Sequence, residues 1–423
     1  VGGEIRMKLW ELLRRRMLEH GEAVAFADAG VSYAELVRAA EEGEFSFGGR
    51  LICAEGESKL AQAVQILKIL AHGGVAVPVS EYYDPSAAAA VRKLAAKDCG
   101  QYNDLAFVVF TGGTTGRPKG VMLTDGNIAA NLAAIEEYFA VPQGSRMLIA
   151  RPLVHISALT GELLFGLYKG LEIYFYEERF MPRRMAKFID AKKIEVLCCT
   201  PTMLKFLADG LQAGSLRTVA LSGERLKTEF VRFLKERFAG VNFYNVYGLT
   251  ENSPRAAALC PQAFFRKPGS IGLPLKDTEM KIKNGELYVK SPSVMLGYYK
   301  KKTLTKRRLS GGWLRTGDVA ERDADGYFYI RGRKDGMIIR SGVKIFPEEV
   351  ESAVLQIDGV SECLCYGAED ETYGESVNLK VVSSLSEEKL RGEICRRLPP
   401  CMTPKKIEFV LGLPLTAGGK VKR

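Results

Sequence analysis

The stretch Ala106–Gly120, Ala-Phe-Val-Val-Phe-Thr-Gly-Gly-Thr-Thr-Gly-Arg-Pro-Lys-Gly, constrains this chain more than any other. The apolar run Ala106–Phe110 has the length and β-branched content of a buried strand. It empties into a loop with Gly112, Gly113, Gly116 and Gly120, the hydroxyls of Thr111, Thr114 and Thr115, and the cations Arg117 and Lys119. Glycines let a backbone turn tightly and bring its N–H groups close to an anion. Threonine hydroxyls add donors, and the Lys119 ammonium adds a charge able to follow phosphate oxygens. A polyphosphate suits such a loop. A glycine-rich hairpin tip without a ligand is the other reading of the same residues. The spacing Gly-x-x-x-x-Gly-Lys-Ser/Thr of the P-loop is not met here.

A chain of 423 residues can bury a sizeable core and divides into two or three domains. With 47% apolar and 26% charged residues it reads as a globular protein. No apolar run approaches the roughly 18 residues of a membrane span. The opening residues carry Arg14-Arg15-Arg16 but no apolar core ending in small residues, so no secretory signal is expected. Nine cysteines without a C-x-x-C pair, beside three histidines, fit reduced thiols in a cytoplasm better than a metal site. The net charge of +10 is spread along the chain rather than gathered with interleaved aromatics. No nucleic-acid partner is expected; a solvated surface, an anionic small molecule or an acidic carrier protein each accommodate the excess.

Periodicity predicts a helix over 4–20, a second opening at Ser32 with Glu35 as its capping partner, and a third over Lys59–Ala71 ended by Gly73-Gly74. Strands are predicted at Val75–Val79, Met147–Ala150, Leu171–Tyr176, Val196–Cys199, Thr218–Leu221 and Asn242–Val246. Helices are predicted over Asn127–Tyr138, Met181–Ile189, Thr202–Gly210 and Lys227–Phe238. The alternation is that of an α/β, doubly wound sheet, whose ligands sit at the carboxyl ends of its strands. From Ile271 the texture becomes short strands, a small β-barrel or β-layer, and past Asp335 about 90 residues suffice for a separate α+β lid.

Thr111–Gly120 resembles the phosphate loop of the adenylate-forming superfamily, which holds acyl- and aryl-CoA ligases, adenylation domains and luciferases. Gly112 stands where that family more often has serine. The Ser32-Tyr-Ala-Glu-Leu36 start and the Val-Pro before Tyr82 resemble its early motifs. Only Ala87–Leu105 separate that turn from the phosphate loop, so the first subdomain is expected to be shortened. The resemblance implies a large domain over 1–334 and a mobile lid over 335–423.

Asn245-Val-Tyr-Gly-Leu-Thr-Glu251 follows a predicted strand; its aromatic can stack a base and its carboxylate can hold Mg²⁺. A strand end with an acid opening a helix is the alternative. It resembles the family's Tyr-Gly-x-Thr-Glu motif, which implies a nucleotide beside Asn245, Tyr247 and Gly248, a phosphate on Thr250 and Mg²⁺ on Glu251. Gly312-Trp-Leu-Arg-Thr-Gly-Asp318 puts an acid in a glycine-flanked turn, suited either to a ribose diol or to its own turn backbone. The resemblance gives Asp318 the ribose, with Ile330 and Arg333 beside the nucleotide.

Asp335, between Gly332 and Gly336, falls at the family's hinge, though a charged turn is what the residues alone suggest. Ser341, Gly342 and Val343 match the loop that meets the thiol substrate. Pro347 with Glu348 and Glu349 independently marks a helix start. Lys420 in the basic tail matches the lysine that reaches the α-phosphate and carboxylate; a disordered tail is the plain alternative. Pro152-Leu-Val-His155 resembles the acyl-pocket turn of CoA ligases, and Ser222-Gly223-Glu224 the adenine-side and pocket-floor turn, with a simple turn as the plain alternative. His155 is equally read as a packed histidine. Amino-acid adenylation domains of that family carry a Phe-Asp pair here, whose Asp pairs the α-ammonium; no acid follows His155 until Glu162, so the resemblance implies a substrate other than an amino acid.

The resemblance therefore implies ATP- and Mg²⁺-dependent conversion of an otherwise uncharged carboxylic acid, aryl or medium-chain, to an acyl-adenylate, then transfer to CoA. A carrier-protein phosphopantetheine is the alternative acceptor, and a non-catalytic nucleotide-binding relative the third reading. Oligomeric state is left open.

Overall fold

The computed structural model describes residues 8–80, 85–111, 119–212, 214–341 and 343–413. Much of the phosphate loop (112–118), Gly342 and Lys420 lie outside the described residues. The chain divides into two compact units. One runs to Lys281 and takes in Tyr288–Arg315 and Ala324–Tyr327; the other holds Ile282–Leu287, Thr316–Asp323 and the chain from Phe328.

In the first unit a nine-stranded sheet runs in the order Leu273–Pro274, Arg255–Leu259, Asn242–Gly248, Thr218–Ser222, Val196–Cys199, Arg146–Ile149, Glu172–Phe175, Val24–Phe26, Val31–Ser32. The strands from Asn242–Gly248 to Val24–Phe26 are parallel to their neighbours, and antiparallel pairs cap both edges. Parallel strands covered on both faces read as apolar runs, and all four residues of Val196–Cys199 are buried. One face packs Met147, Ile149, Cys198 and Ala220 against Leu159, Leu163 and Phe165. The other packs Leu148, Leu197, Cys199 and Leu221 against Met203, Leu204 and Leu234.

The chain steps from Arg146–Ile149 to Glu172–Phe175 on one side, then returns to Val196–Cys199 on the other. The helical segment after the first of these strands and the helix Pro201–Ala208 after the last cover opposite faces. The gap between Arg146–Ile149 and Val196–Cys199 is therefore the sheet's topological switch point, where open α/β sheets bind ligands.

A second sheet, in the order Gly297–Tyr298, Lys119–Thr124, Leu105–Thr111, Val75–Pro78, Leu51–Ala54, carries the strands that enter and leave the phosphate loop. Helix starts follow the expected chemistry: Ser32 and Glu35 form a capping box, and the helix Lys59–Ala71 has the predicted bounds. Before the strand Leu105–Thr111 comes the helix Pro85–Ala96.

Two local expectations are corrected. Only Gly312 of residues 312–318 lies in a turn. The rest enter a ten-residue strand, Trp313–Arg322, whose pattern is obscured by Gly317 at φ 79° and a bulge at Val319/Ala320. The turn after Arg151 leads into an unforeseen helical segment, Ile156–Ala158, a π-helix Leu159–Leu164 and Phe165–Lys169. Nearly every residue there is buried, so no amphipathic period marks it.

The second unit has a sheet in the order Val343–Ile345, Ile338–Arg340, Gly374–Ser383, Val360–Asp370, with Lys406–Phe409 parallel beside Gly374–Ser383. The helices Pro347–Val354 and Glu387–Arg397 supply Val350, Val354, Leu390 and Ile394 to its core. In the same unit Asp318–Arg322 pairs antiparallel with Phe328–Arg333. No described helix is long and apolar enough to cross a membrane.

Candidate nucleotide and acyl site

The ends of the phosphate loop are held by antiparallel pairing: Thr111 lies opposite Lys119, and its Oγ1 donates to the Lys119 carbonyl at 3.5 Å. Thr111 and Lys119 thus stand opposite each other on adjacent strands. Gly120, at the far end of that stretch, carries a carbonyl that accepts from Tyr299 N at 2.8 Å.

Tyr247 and Gly248 close the strand Asn242–Gly248, and Thr250, Glu251 and Asn252 form the single 3₁₀ turn that follows. A β-carbon on Gly248 would stand 2.2 Å from the Pro254 carbonyl oxygen, so this turn admits glycine alone. Tyr247 is half-buried. Asn245 points inward: its amide donates to the Ser270 carbonyl at 2.6 Å, and the residue is buried. Glu251 Oε1 accepts from the Tyr298 hydroxyl at 2.6 Å, while the Glu251 carbonyl accepts from Met295 N at 2.9 Å. Tyr298 in turn pairs with Val121, in the strand that leaves the phosphate loop. This segment joins Glu251 to Lys119 through one strand and one hydrogen bond, a link the motif spacing did not reveal.

Among the described residues no three His, Cys, Asp or Glu side chains gather as a metal cage. Mg²⁺ keeps waters and phosphates about one or two carboxylates, so a single carboxylate with one oxygen turned from its tyrosine fits that ion.

Ser222 ends a parallel strand, Gly223 follows at φ 86°, and Glu224 Oε2 accepts from Thr202 N at 3.1 Å and Thr202 Oγ1 at 2.7 Å. The acid therefore caps the helix Pro201–Ala208, where the exposed N–H groups favour negative charge. His155 is exposed and precedes the helical segment, its carbonyl accepting from Ala158 N and Leu159 N, both at 2.9 Å.

Beside Ser222 lies a group that sequence reasoning missed. Arg151 donates from Nε and Nη2 to Glu162 Oε1 at 3.1 and 2.6 Å, and from Nη1 to Ser222 Oγ at 3.0 Å. The Glu162 side chain is 0% exposed and that of Arg151 10%. Arg255, also buried, donates to the Tyr138 hydroxyl at 2.6 Å and the Gly161 carbonyl at 2.8 Å, with its guanidinium 5.0 Å from the Phe139 ring centre. Burial pushes the Glu162 carboxyl up from its ordinary value, and the two guanidinium groups pull against it. Burial likewise lifts the Cys198 thiol to about 11. The one sequence signal was a charged residue, Glu162, inside an otherwise apolar run.

In the second unit Asp318 is buried and accepts from Arg333 Nη1 at 2.9 Å through Oδ1. The same nitrogen donates to the Thr316 carbonyl at 3.1 Å, and Ile330 lies opposite Ala320 in the same ladder. Lys334–Gly336, the expected hinge, forms a 3₁₀ turn, and Ser341 at φ 49° begins the tight turn of the following hairpin. Each unit thus assembles its own share of the expected residues: Thr111, Lys119, Tyr247, Thr250, Glu251, Ser222 and Glu224 in one, Asp318, Ile330 and Arg333 in the other.

The family model described as AMP-binding enzyme matches residues 17–299, and that for the AMP-binding enzyme C-terminal domain matches 349–420. The 2-succinylbenzoate–CoA ligase of Bacillus licheniformis is 33% identical over 336 residues, covering 76% of this chain and 69% of that protein. The feruloyl-CoA synthase of an Amycolatopsis species is 31% identical over 339 residues, covering 75% and 68%. The solved O-succinylbenzoate coenzyme A synthetase from Bacillus subtilis, in complex with AMP, shares the fold with a TM-score of 0.85 at 24% identity, covering 98% of this chain and 97% of that one. The chain belongs to the AMP-binding enzyme family, whose members activate carboxylic acids with ATP and pass them to coenzyme A.

Proposed function

We propose that this chain is an AMP-forming acid–CoA ligase that activates an aryl or medium-chain carboxylic acid and hands the acyl group to CoA in the cytoplasm. The observation that carries the reading is the extent of the family match, 17–299 and 349–420, over a chain that keeps Lys119, Glu251, Asp318, Arg333 and Lys420. Relatives named for CoA ligation of 2-succinylbenzoate and of long-chain fatty acids support the acceptor and leave the acid open.

A carboxylate resists nucleophiles because its charge is delocalised, and transfer of AMP from ATP, with pyrophosphate leaving, removes that resistance. The protein's task is to align the carboxylate with the α-phosphorus and to neutralise charge as it grows. The threonines and glycines at 111–116 with Lys119 hold the outer phosphates, Tyr247 stacks the base, and Asp318 with Arg333 takes the ribose. Glu251 would hold Mg²⁺, which would supply charge neutralisation for the phosphates there. Tyr298 keeps the Glu251 carboxylate turned toward that position. Lys420 approaches the α-phosphate in the first step. After it, the C-terminal lid turns about Asp335 and brings Ser341–Val343 to the incoming thiol.

The test is pyrophosphate release with ATP and Mg²⁺ across a panel of acids, with and without CoA. CoA-dependent formation of an acyl-CoA is the expected result. An acyl-adenylate that accumulates with no response to CoA overturns the acceptor and favours a carrier protein, a partner that a net charge of +10 would attract. Lys420→Ala is expected to abolish acid-dependent pyrophosphate exchange while leaving the unfolding curve unchanged; undiminished exchange removes Lys420 from the first step.

A further inference from the structure

The cluster around Arg151 carries two guanidinium groups, Arg151 and Arg255, and one carboxylate, Glu162, all in buried residues. Taken as ionised, it holds one positive charge in excess. Removing a charge from water without a partner is costly, and such groups persist where a compensating charge is met.

Three further observations give that excess a direction. Arg151 follows the strand Arg146–Ile149 by two residues and reaches Ser222 at the end of Thr218–Ser222. It therefore stands at the carboxyl ends of the parallel strands, at the switch point. Its Nη1 donates to Ser222, a partly exposed residue, while Glu162 holds the opposite edge of the guanidinium. Finally, the fully buried Glu162 Oε2 and Thr160 Oγ1 have no hydrogen-bond partner among the described residues. Both lie on the π-helix Leu159–Leu164, a distortion that recurs at functional sites.

We propose that Arg151, held in place by Glu162, recognises a second anionic group on the substrate, so that this enzyme prefers acids with a carboxylate or sulfonate remote from the one it activates. The inference rests on the acid-activating reading above. An ammonium or plain hydrocarbon tail would leave the excess charge uncompensated, whereas a second anion meets a guanidinium already oriented by two hydrogen bonds to one carboxylate oxygen.

The experiment compares matched pairs of acids, octanoate with suberate and 3-phenylpropanoate with 3-(2-carboxyphenyl)propanoate. Each is measured for binding in the presence of ATP by calorimetry, and for pyrophosphate release with CoA. The wild type is expected to favour the dianionic member of each pair at least tenfold in both readouts. Arg151→Met is expected to erase that preference while moving the monoanionic acids less than threefold. Because it strands Glu162, the double variant Arg151→Met, Glu162→Leu is measured beside it and is expected to behave alike. Equal binding of both members by the wild type overturns the proposal, as does a loss in both variants that is the same for both members. If no acid releases pyrophosphate but the binding preference and its loss persist, the ligase reading fails and the anion site stands.

Discussion

Two arginine–carboxylate pairs show how differently the same chemistry behaves in the two units. Arg151–Glu162 has side-chain exposures of 10% and 0%, while Arg333–Asp318 has 48% and 11%. The first pair has traded hydration for a fixed geometry, and neither partner can be removed without stranding the other. In the second the arginine remains hydrated, so its hold on Asp318 is screened and exchangeable. A carboxylate meant to meet a ribose needs the second arrangement; a cation meant to discriminate between acids needs the first.

The largest effect expected from this contrast is on folding. Glu162→Ala leaves two buried arginines without their counter-charge and should cost about 3–5 kcal/mol of stability, read from urea unfolding. A cost below about 1 kcal/mol would mean that the cluster is hydrated and the contrast is false. Asp318→Ala should do the opposite. Its folding stability should change by no more than about 1 kcal/mol, as for a partly exposed pair. Its ATP affinity should fall about 10–100-fold, the worth of charge-assisted hydrogen bonds of about 1.5–3 kcal/mol. Unaltered ATP binding by calorimetry would take Asp318 out of the nucleotide site.

The smallest effect concerns a carboxylate between these extremes. The Asp98 side chain is 2% exposed, but its partner Lys300, at 2.7 Å, is 62% exposed, and the Tyr299 hydroxyl also donates to it. Burial alone would raise the Asp98 carboxyl; the hydrogen bonds from Lys300 and Tyr299 outweigh it and hold the group at about 2, below its ordinary 3.8. A depressed folded-state value stabilises fully above the unfolded one, so the contribution is present above about pH 4 and is lost as pH falls through about 2. Wild type and Asp98→Asn should therefore converge in stability as pH is lowered across that window. A gap that stays constant from pH 4 to 2 would show that Asp98 is not ionised in the fold.

Most of the α/β alternation was legible because buried parallel strands are short apolar runs and their helices carry caps, as at Ser32 and Val196–Cys199. Within the candidate site a residue type is demanded locally at Gly248, where the Pro254 carbonyl excludes any side chain. Two kinds of element escaped. Trp313–Arg322 was hidden by glycine and a bulge, which break the alternation that marks a strand. The segment 156–169 was hidden because burial on all sides leaves no polar face to set a period.

The sequence by itself determined the family and the α/β order of elements, since each depends on residues close together in the chain. Only the tertiary structure decided that Arg151, Glu162, Ser222 and Arg255 share one buried cluster, and that Tyr298 steadies Glu251. Those contacts join residues 11 to 117 positions apart in the cluster around Arg151 and 47 apart at Glu251. Their energetics come from the water excluded when strands and helices close over them, and no local pattern in the chain records how much water a fold will exclude.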